Sequence, residues 1–243
     1  GVMGGGIAQL MADKAGLPVR IRDIQPGAIS TALKHAGALF EKQVRRRRLD
    51  PAQMRRKMGL LQPTLEEAGL DSCDFVVEAV VENLAVKQKL FADLSRTTAP
   101  TAILATNTSS LSIDDIGQSA SRRERIVGMH FFNPVDKMPL VEVVAGSLTG
   151  EIAVRTASAF ARRLGKTPVI VRDGPGFLVN RLLAFYSAEA MWLLDEGHRV
   201  EAIDRAMVDW GMPMGPLRLA DEVGLDVSAK VGQILHDAFP DRL

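Results

Sequence analysis

The chain has 243 residues, 47% hydrophobic and 24% charged, with a formal net charge of +1. These proportions are ordinary for a globular protein, and the length suits one large domain or a domain with a smaller satellite. So balanced a charge argues against nucleic-acid binding by overall field, and no apolar run approaches the ~20 residues of a membrane-spanning helix. The single cysteine, Cys73, excludes an internal disulfide framework. It fits a reducing compartment, for which a bacterial cytoplasm is the first expectation and a mitochondrial matrix or peroxisome the eukaryotic one.

Gly1-Val2-Met3-Gly4-Gly5-Gly6 runs straight into Ile7–Ala12, where small and apolar residues recur at helical spacing. Pro18–Asp23 alternates apolar and basic residues and ends on a carboxylate, which predicts a short strand. Residues 26–48 read as a long polar helix, and a second begins near Pro51, with Asp50 placed to cap it. Phe75–Val80 predicts a buried strand and Val86–Leu94 a helix. Ala102–Ala105, Ile126–His130, Leu140–Val144 and Pro168–Val171 predict four further strands. Strands alternating with helices imply an α/β fold with a parallel, doubly wound sheet. Asp173-Gly174-Pro175-Gly176 is a breaker cluster, and beyond it Leu178–Glu196 and residues 200–211 are helical. The expected division is therefore an α/β domain over 1–172 and an all-α, incomplete domain over 173–243.

A dinucleotide fingerprint needs G-x-G-x-x-G between a strand and a helix. Gly1 and Gly4 have the spacing of its second and third glycines, and the helix beginning there would turn its N-terminal amides toward phosphates. Asp23 follows Gly4 by 19 residues, at the end of the next predicted strand. A carboxylate there can bond both ribose hydroxyls and repel a 2′-phosphate, favouring NAD over NADP. The alternative is a Gly-rich turn followed by a surface aspartate. The chain opens without Met and inside the motif, so its Rossmann-type sheet is expected to lack a complete first strand. A central buried strand contributes on the order of 10 kcal/mol, and the natural chain is expected to extend upstream of Gly1.

Among four histidines, His130 is the candidate general base, because it ends a predicted strand and titrates near neutral pH. A hydrogen-bonded core histidine is the competing reading. Glu142 follows twelve residues later between Val141 and Val143, an expensive place for an unpaired carboxylate. An imidazole partner would explain it; an outward-facing strand position is the alternative.

The run from Gly1 through Gly224 resembles 3-hydroxyacyl-CoA dehydrogenases. The resemblance rests on Val77–Asn83, Asn107–Leu111, His130–Val135, Leu140–Val143, Gly165–Pro168, Pro175–Arg181 and Pro213–Pro216, in order and correctly spaced. It implies NAD-dependent oxidation of (S)-3-hydroxyacyl-CoA to 3-oxoacyl-CoA in fatty-acid β-oxidation. His130 would remove the hydroxyl proton, Glu142 would orient the imidazole, and Ser109 and Asn180 would bond the reacting oxygens. Gly1, Met3, Gly4, Asp23, Glu82, Lys87, Asn107 and Asn133 fall at cofactor positions. Ser109 as a helix cap, and Glu82 with Lys87 as an exposed helical pair, are the simpler readings. Leu219–Asp226 and Ala238–Leu243 look like the multifunctional β-oxidation enzymes, which implies an upstream enoyl-CoA hydratase domain and a homo-oligomer or multienzyme complex.

One stretch departs from the simpler members of the family. Lys42, Arg45, Arg46, Arg47, Arg48, Arg55, Arg56 and Lys57 place eight cations within sixteen positions. The serine and lysine that hold coenzyme A in monofunctional relatives become Leu39 and Arg46, which puts the serine contact in doubt. A solvated helical face accounts for such a run, and an Arg46-centred clamp on the CoA phosphates is the functional reading. Rival assignments are another NAD-linked β-hydroxyacid dehydrogenase, which would use a lysine base, and an NAD-binding relative without turnover. No cluster shows metal-ligand spacing. Leu182, Leu183, Phe185, Tyr186, Met191, Trp192 and Leu194 predict a helix buried on several sides.

Overall fold

The computed structural model describes residues 1–241, apart from the side chains of Val227 and Lys230. Arg242 and Leu243 of the tail motif lie outside the described residues. The chain divides into two compact units, Gly1–Asp173 and Gly174–Leu243.

In the first unit α1 (Val2–Leu10) continues into one wide π turn, Met11–Ala15, closed by Gly16 at φ 62°. β1 (Val19–Arg22), α2 (Pro26–Arg45), α3 (Pro51–Gly59) and β2 (Leu61–Thr64) follow, then β3 (Phe75–Glu78), α4 (Leu84–Thr97), β4 (Ile103–Thr106) and α5 (Ile113–Ile116). β5 (Ile126–Phe131), β6 (Leu140–Ala145), α6 (Glu151–Arg163) and β7 (Thr167–Arg172) complete it. β3-β4-β5-β6-β7 form one sheet and β1-β2 a separate parallel pair.

Local chemistry explains several boundaries. Pro26 and Pro51 stand in the first turns of their helices, where a missing N–H is harmless. Asp50 and Gln53 form a reciprocal capping box, with Gln53 N–H donating to Asp50 Oδ1 at 2.7 Å and Asp50 N–H to Gln53 Oε1 at 2.9 Å. α2 buries Ile29, Ala32, Ala36 and Phe40, a stripe at intervals of three and four.

Two expectations change. β2 was not legible, because Leu61-Gln62-Pro63-Thr64 is short, mostly polar and contains proline; pairing with β1, from Val19 opposite Leu61 to Arg22 opposite Thr64, makes it a strand. The sheet is also not parallel throughout: β6 runs antiparallel to β5. Only residues 132–139 separate the two strands, and a parallel neighbour would need a crossover of a dozen or more.

The main core joins Ile7, Leu10 and Met11 of α1 to Ile103, Ala105, Val127, Met129, Val141 and Val143 of the sheet and to Ala153, Ala157 and Ala161 of α6. β4 and β5 are buried along their full length. α1 carries three consecutive glycines, each costing about 1 kcal/mol of helix propensity relative to Ala. Two of them are required by packing. A Cβ on Gly5 would stand 3.0 Å from Ala32 Cα and Cβ, and one on Gly6 would stand 3.2 Å from Val135 Cβ.

The second unit consists of α7 (Val179–Asp195), α8 (Val200–Trp210), α9 (Pro216–Val223) and α10 (Leu225–Ala238). Asp204 accepts the Leu217 and Arg218 amides at 2.9 and 3.1 Å, tying α8 to the start of α9. Arg181 donates to the Pro175 carbonyl at 2.7 Å and lies over the Phe239 ring at 4.8 Å. The expectation that α7 is buried on several sides is not met, since Ala190 is its one buried residue among those described and Leu182 and Trp192 remain 63% and 61% exposed. Short helices supply too little surface to cover an apolar face that extends nearly around the helix.

Candidate active site

β3, β4 and β5 are parallel, so Glu78, Thr106 and His130 reach the same edge of the sheet at or next to their C-terminal ends, where open α/β sheets bind ligands. The reversal of β6 brings Glu142, near its start, to that edge as well. His130 and Glu142 are direct partners in the antiparallel register. His130 Nδ1 and Glu142 Oε2 are 2.8 Å apart, with His130 7% and Glu142 0% exposed. The outward-facing reading of Glu142 is thereby replaced, and the histidine is buried and hydrogen-bonded to it, as both of its readings require. The Phe132 ring packs against the imidazole with centroids 4.5 Å apart.

The Asn107–Ser110 loop follows β4. Asn107 Oδ1 accepts the Phe131 amide at 2.8 Å, and Asn107 N–H donates to the Glu78 carbonyl at 2.8 Å, so this side chain ties the loop to the residue after His130. Ser109 approaches Glu82: Glu82 Oε1 accepts from Ser109 N at 2.9 Å, Ser109 Oγ at 3.3 Å and Thr108 Oγ1 at 2.5 Å. Burial opposes ionisation of Glu82, but these donors and the nearby Lys87 ammonium outweigh it and hold its carboxyl below the ordinary range.

Glu82 and Lys87 are not an exposed helical pair. The Lys87 side chain is 1% exposed, its Nζ 2.6 Å from Glu78 Oε1 and 3.3 Å from Glu82 Oε2. Glu78 was not among the sequence candidates. The signal available was a glutamate within an apolar strand, the same signal that singled out Glu142.

At the fingerprint, the Gly1 backbone nitrogen lies 3.6 Å from Asp23 Oδ2, so the start of α1 and the end of β1 converge. Asp23 Oδ1 also accepts the Gln25 amide at 3.0 Å. A cavity of about 290 Å³ lined by Pro26, Ile29, Pro63, Thr64 and Leu65 opens beside them. Asp23 N–H reaches the Thr64 carbonyl at 3.4 Å. The mostly apolar walls suit an adenine ring, and the Asp23 carboxylate, whose backbone joins Thr64 of the lining, has the chemistry to bond a ribose. Gly4 meets only the Ala79 Cβ at 3.8 Å, and Met3 packs into the main core. Asn133 is exposed and precedes Pro134 through a cis peptide bond.

Asn180 belongs to the helical unit, in the first turn of α7. Arg46 is exposed at the end of α2, followed by Arg47 at φ 55°. Lys57 leaves the basic group to pair with Asp13 at 2.9 Å. Among the described residues no group of three or more His, Cys, Asp or Glu side chains could hold a metal ion, and no helix is long and apolar enough to cross a membrane.

A dinucleotide-type α/β unit with a buried histidine–carboxylate pair at its ligand edge is an arrangement suited to an NAD-linked oxidoreductase. Comparison with known proteins gives the family. Residues 1–174 match the family model described as 3-hydroxyacyl-CoA dehydrogenase, NAD binding domain, and residues 176–243 match its C-terminal domain. The chain belongs to the 3-hydroxyacyl-CoA dehydrogenase family. It is 48% identical over 242 residues to proteins named fatty acid oxidation complex subunit alpha in Shewanella frigidimarina and Shewanella oneidensis, covering 100% of this chain and 34% of theirs. The chain thus spans about a third of the length of these relatives. A crystal structure of (S)-3-hydroxybutyryl-CoA dehydrogenase from Ralstonia eutropha superposes with TM-score 0.94 at 35% identity, covering 99% of this chain and 85% of that one. A 3-hydroxybutyryl-CoA dehydrogenase from Escherichia coli gives 0.93 at 39% identity, covering 98% and 51%.

Proposed function

We propose that the protein containing this chain oxidises (S)-3-hydroxyacyl-CoA to 3-oxoacyl-CoA with NAD. The observation that carries this reading is the buried His130–Glu142 pair at the sheet edge, 2.8 Å between Nδ1 and Oε2. Glu142 accepts Nδ1–H and fixes the tautomer with its lone pair on Nε2, so that Nε2 is the atom that takes the proton of the 3-hydroxyl. As the imidazole gains that proton, the Glu142 carboxylate stabilises the cation. When bound, NAD supplies the acceptor for the hydride leaving the same carbon. Asp23, Gly1 and the 290 Å³ cavity would hold its adenosine end, with Met3, Gly4, Glu82, Lys87, Asn107 and Asn133 as the further cofactor candidates. Ser109 would bond the reacting oxygen; the same role for Asn180 rests on the family resemblance. Arg46 is the candidate contact to the CoA phosphates.

The domain limits, 1–172 and 173–243, are proposed in line with the compact units and the two family matches. The name shared by the Shewanella relatives, and the 34% of their length that this chain covers, support a place within a larger multifunctional subunit. An enoyl-CoA hydratase is the proposed upstream partner. The exposed apolar face of α7 supports assembly with further protein, and the bacterial relatives and free Cys73 support a cytoplasmic setting. The test uses the full-length protein with NAD and 3-hydroxyacyl-CoA of several chain lengths, following NADH. NADH formation from the thioesters is expected. Turnover of free hydroxyacids alone would replace this reading with that of another β-hydroxyacid dehydrogenase, and no turnover at all with that of a non-catalytic relative.

A further inference from the structure

Glu78 has no part in the chemistry above, and its burial against Lys87, a cofactor candidate, is physically costly. Lys87 lies near the N-terminus of α4, where the helix dipole opposes a cation. Its ammonium and the Glu78 carboxylate are each 1% exposed, and a buried ion pair is often no more stabilising than apolar side chains of similar volume. Neither local helix stability nor core packing calls for these two residues.

Their contacts form a continuous polar chain toward Ser109. Glu78 Oε1 accepts the Val80 amide at 2.6 Å and the Lys87 ammonium at 2.6 Å, and Glu78 Oε2 accepts the Thr106 hydroxyl at 2.7 Å. Three bonds leave that carboxylate one orientation. Lys87 then reaches Glu82 Oε2 at 3.3 Å, and Glu82 Oε1 holds the amide and hydroxyl of Ser109 and the hydroxyl of Thr108. Thr108 Oγ1 in turn accepts the Leu111 amide at 3.0 Å, fixing the rest of the loop. Glu82 is less buried than Glu78 and Lys87, its side chain 32% exposed, and without an anchor it would sample several rotamers.

We propose that Glu78 and Lys87 are positioning residues: Glu78 fixes Lys87, Lys87 fixes Glu82, and Glu82 sets the orientation of the Ser109 hydroxyl for the substrate oxygen. This rests on the dehydrogenase reading above. It assigns Glu78 a function, and it gives Lys87, beside its candidacy for the cofactor, an action through Glu82.

The test is a mutant cycle in the full-length protein. Glu78→Met/Lys87→Met replaces the ion pair with apolar side chains of similar length and leaves no buried charge behind. The expected result, read at saturating NAD because Lys87 is also a cofactor candidate, is a thermal midpoint within a few degrees of wild type and a kcat lowered about tenfold or more. In that background Ser109→Ala should cost at most threefold further, although it costs far more in the wild type, because the hydroxyl is already misdirected. Undiminished kcat, or a Ser109→Ala loss that multiplies in full, overturns the proposal. If the double variant does not fold, Glu82→Gln is taken through the same cycle and read by the same two criteria. A wild-type protein without NADH formation would refute the dehydrogenase reading and this proposal with it. Normal wild-type turnover with an insensitive double variant refutes the positioning role alone.

Discussion

Glu142→Gln tests the centre of the site because it changes charge and almost nothing else. The wild-type contact is a 2.8 Å bond from a carboxylate that is 0% exposed. Hydrogen bonds to charged groups contribute about 1.5–3 kcal/mol and neutral ones about 0.5–1.5. Losing the charge therefore removes about 1–1.5 kcal/mol, which is about tenfold in rate when it is felt only as the imidazole becomes a cation. The amide can also turn its NH2 toward Nδ1. That forces the proton onto Nε2, the nitrogen needed as base, and in a His–carboxylate pair such a tautomer error costs about 10⁴. The expected kcat is thus lowered between about tenfold and about 10⁴, with KM for the acyl-CoA within a few-fold. Steady-state kinetics on the full-length protein measure the first, and ring ¹⁵N shifts of His130, assigned with His130→Gln, report the tautomer. A kcat within threefold of wild type would refute the role given to Glu142.

Further outcomes follow from other parts of the first unit. His130→Gln should lower kcat by about 10²–10⁴, the usual contribution of a general base, measured as NADH formation with folding checked by circular dichroism. Gly5→Ala should destabilise the fold by about 1–3 kcal/mol in denaturant unfolding, since its Cβ would meet Ala32 at 3.0 Å. Gly4→Ala, with 3.8 Å of room, should leave unfolding unchanged or improved. Asp23→Ala should raise KM for NAD about tenfold to a hundredfold and narrow the preference over NADP. Charge reversal of Arg46 and Arg47 should raise KM for the acyl-CoA, with the difference shrinking at high salt; unchanged affinity would remove the clamp. The carboxyl of Glu82 is held below its unfolded value, so its contribution to stability is present above the ordinary carboxylate range. It is lost as pH falls through the depressed value. Glu82→Gln should therefore flatten the acid limb of the stability–pH curve.

The readings that held from sequence were those written in local pattern. Asp50 before Pro51 announced a capped helix, and Ala102–Ala105 and Ile126–His130 announced strands, because backbone geometry acts residue by residue along the chain. Phe75–Val80 announced a buried strand, but β3 ends at Glu78 and stands at the sheet edge with only Glu78 buried. Glu142 between two valines signalled a buried carboxylate with a partner, and His130 was the partner named. The polarity of β6 was missed although the short 132–139 connection carried it. β2 and the role of Gly5 and Gly6 depend on contacts with β1, Ala32 and Val135, which no local window contains.

The chain by itself therefore determined the α/β class, the family and the His130–Glu142 pairing, since these rest on residue types and their order. Tertiary structure alone decided how the charges are shared. An exposed helical pair was the simpler reading of Glu82 and Lys87, yet folding buries Lys87 against Glu78 from a neighbouring strand and turns Glu82 toward Ser109. The bonds joining these side chains span 5 to 28 positions in sequence. Which cation neutralises which carboxylate is settled by strand order and helix placement, because an ion buried from water must find its partner in space rather than along the chain.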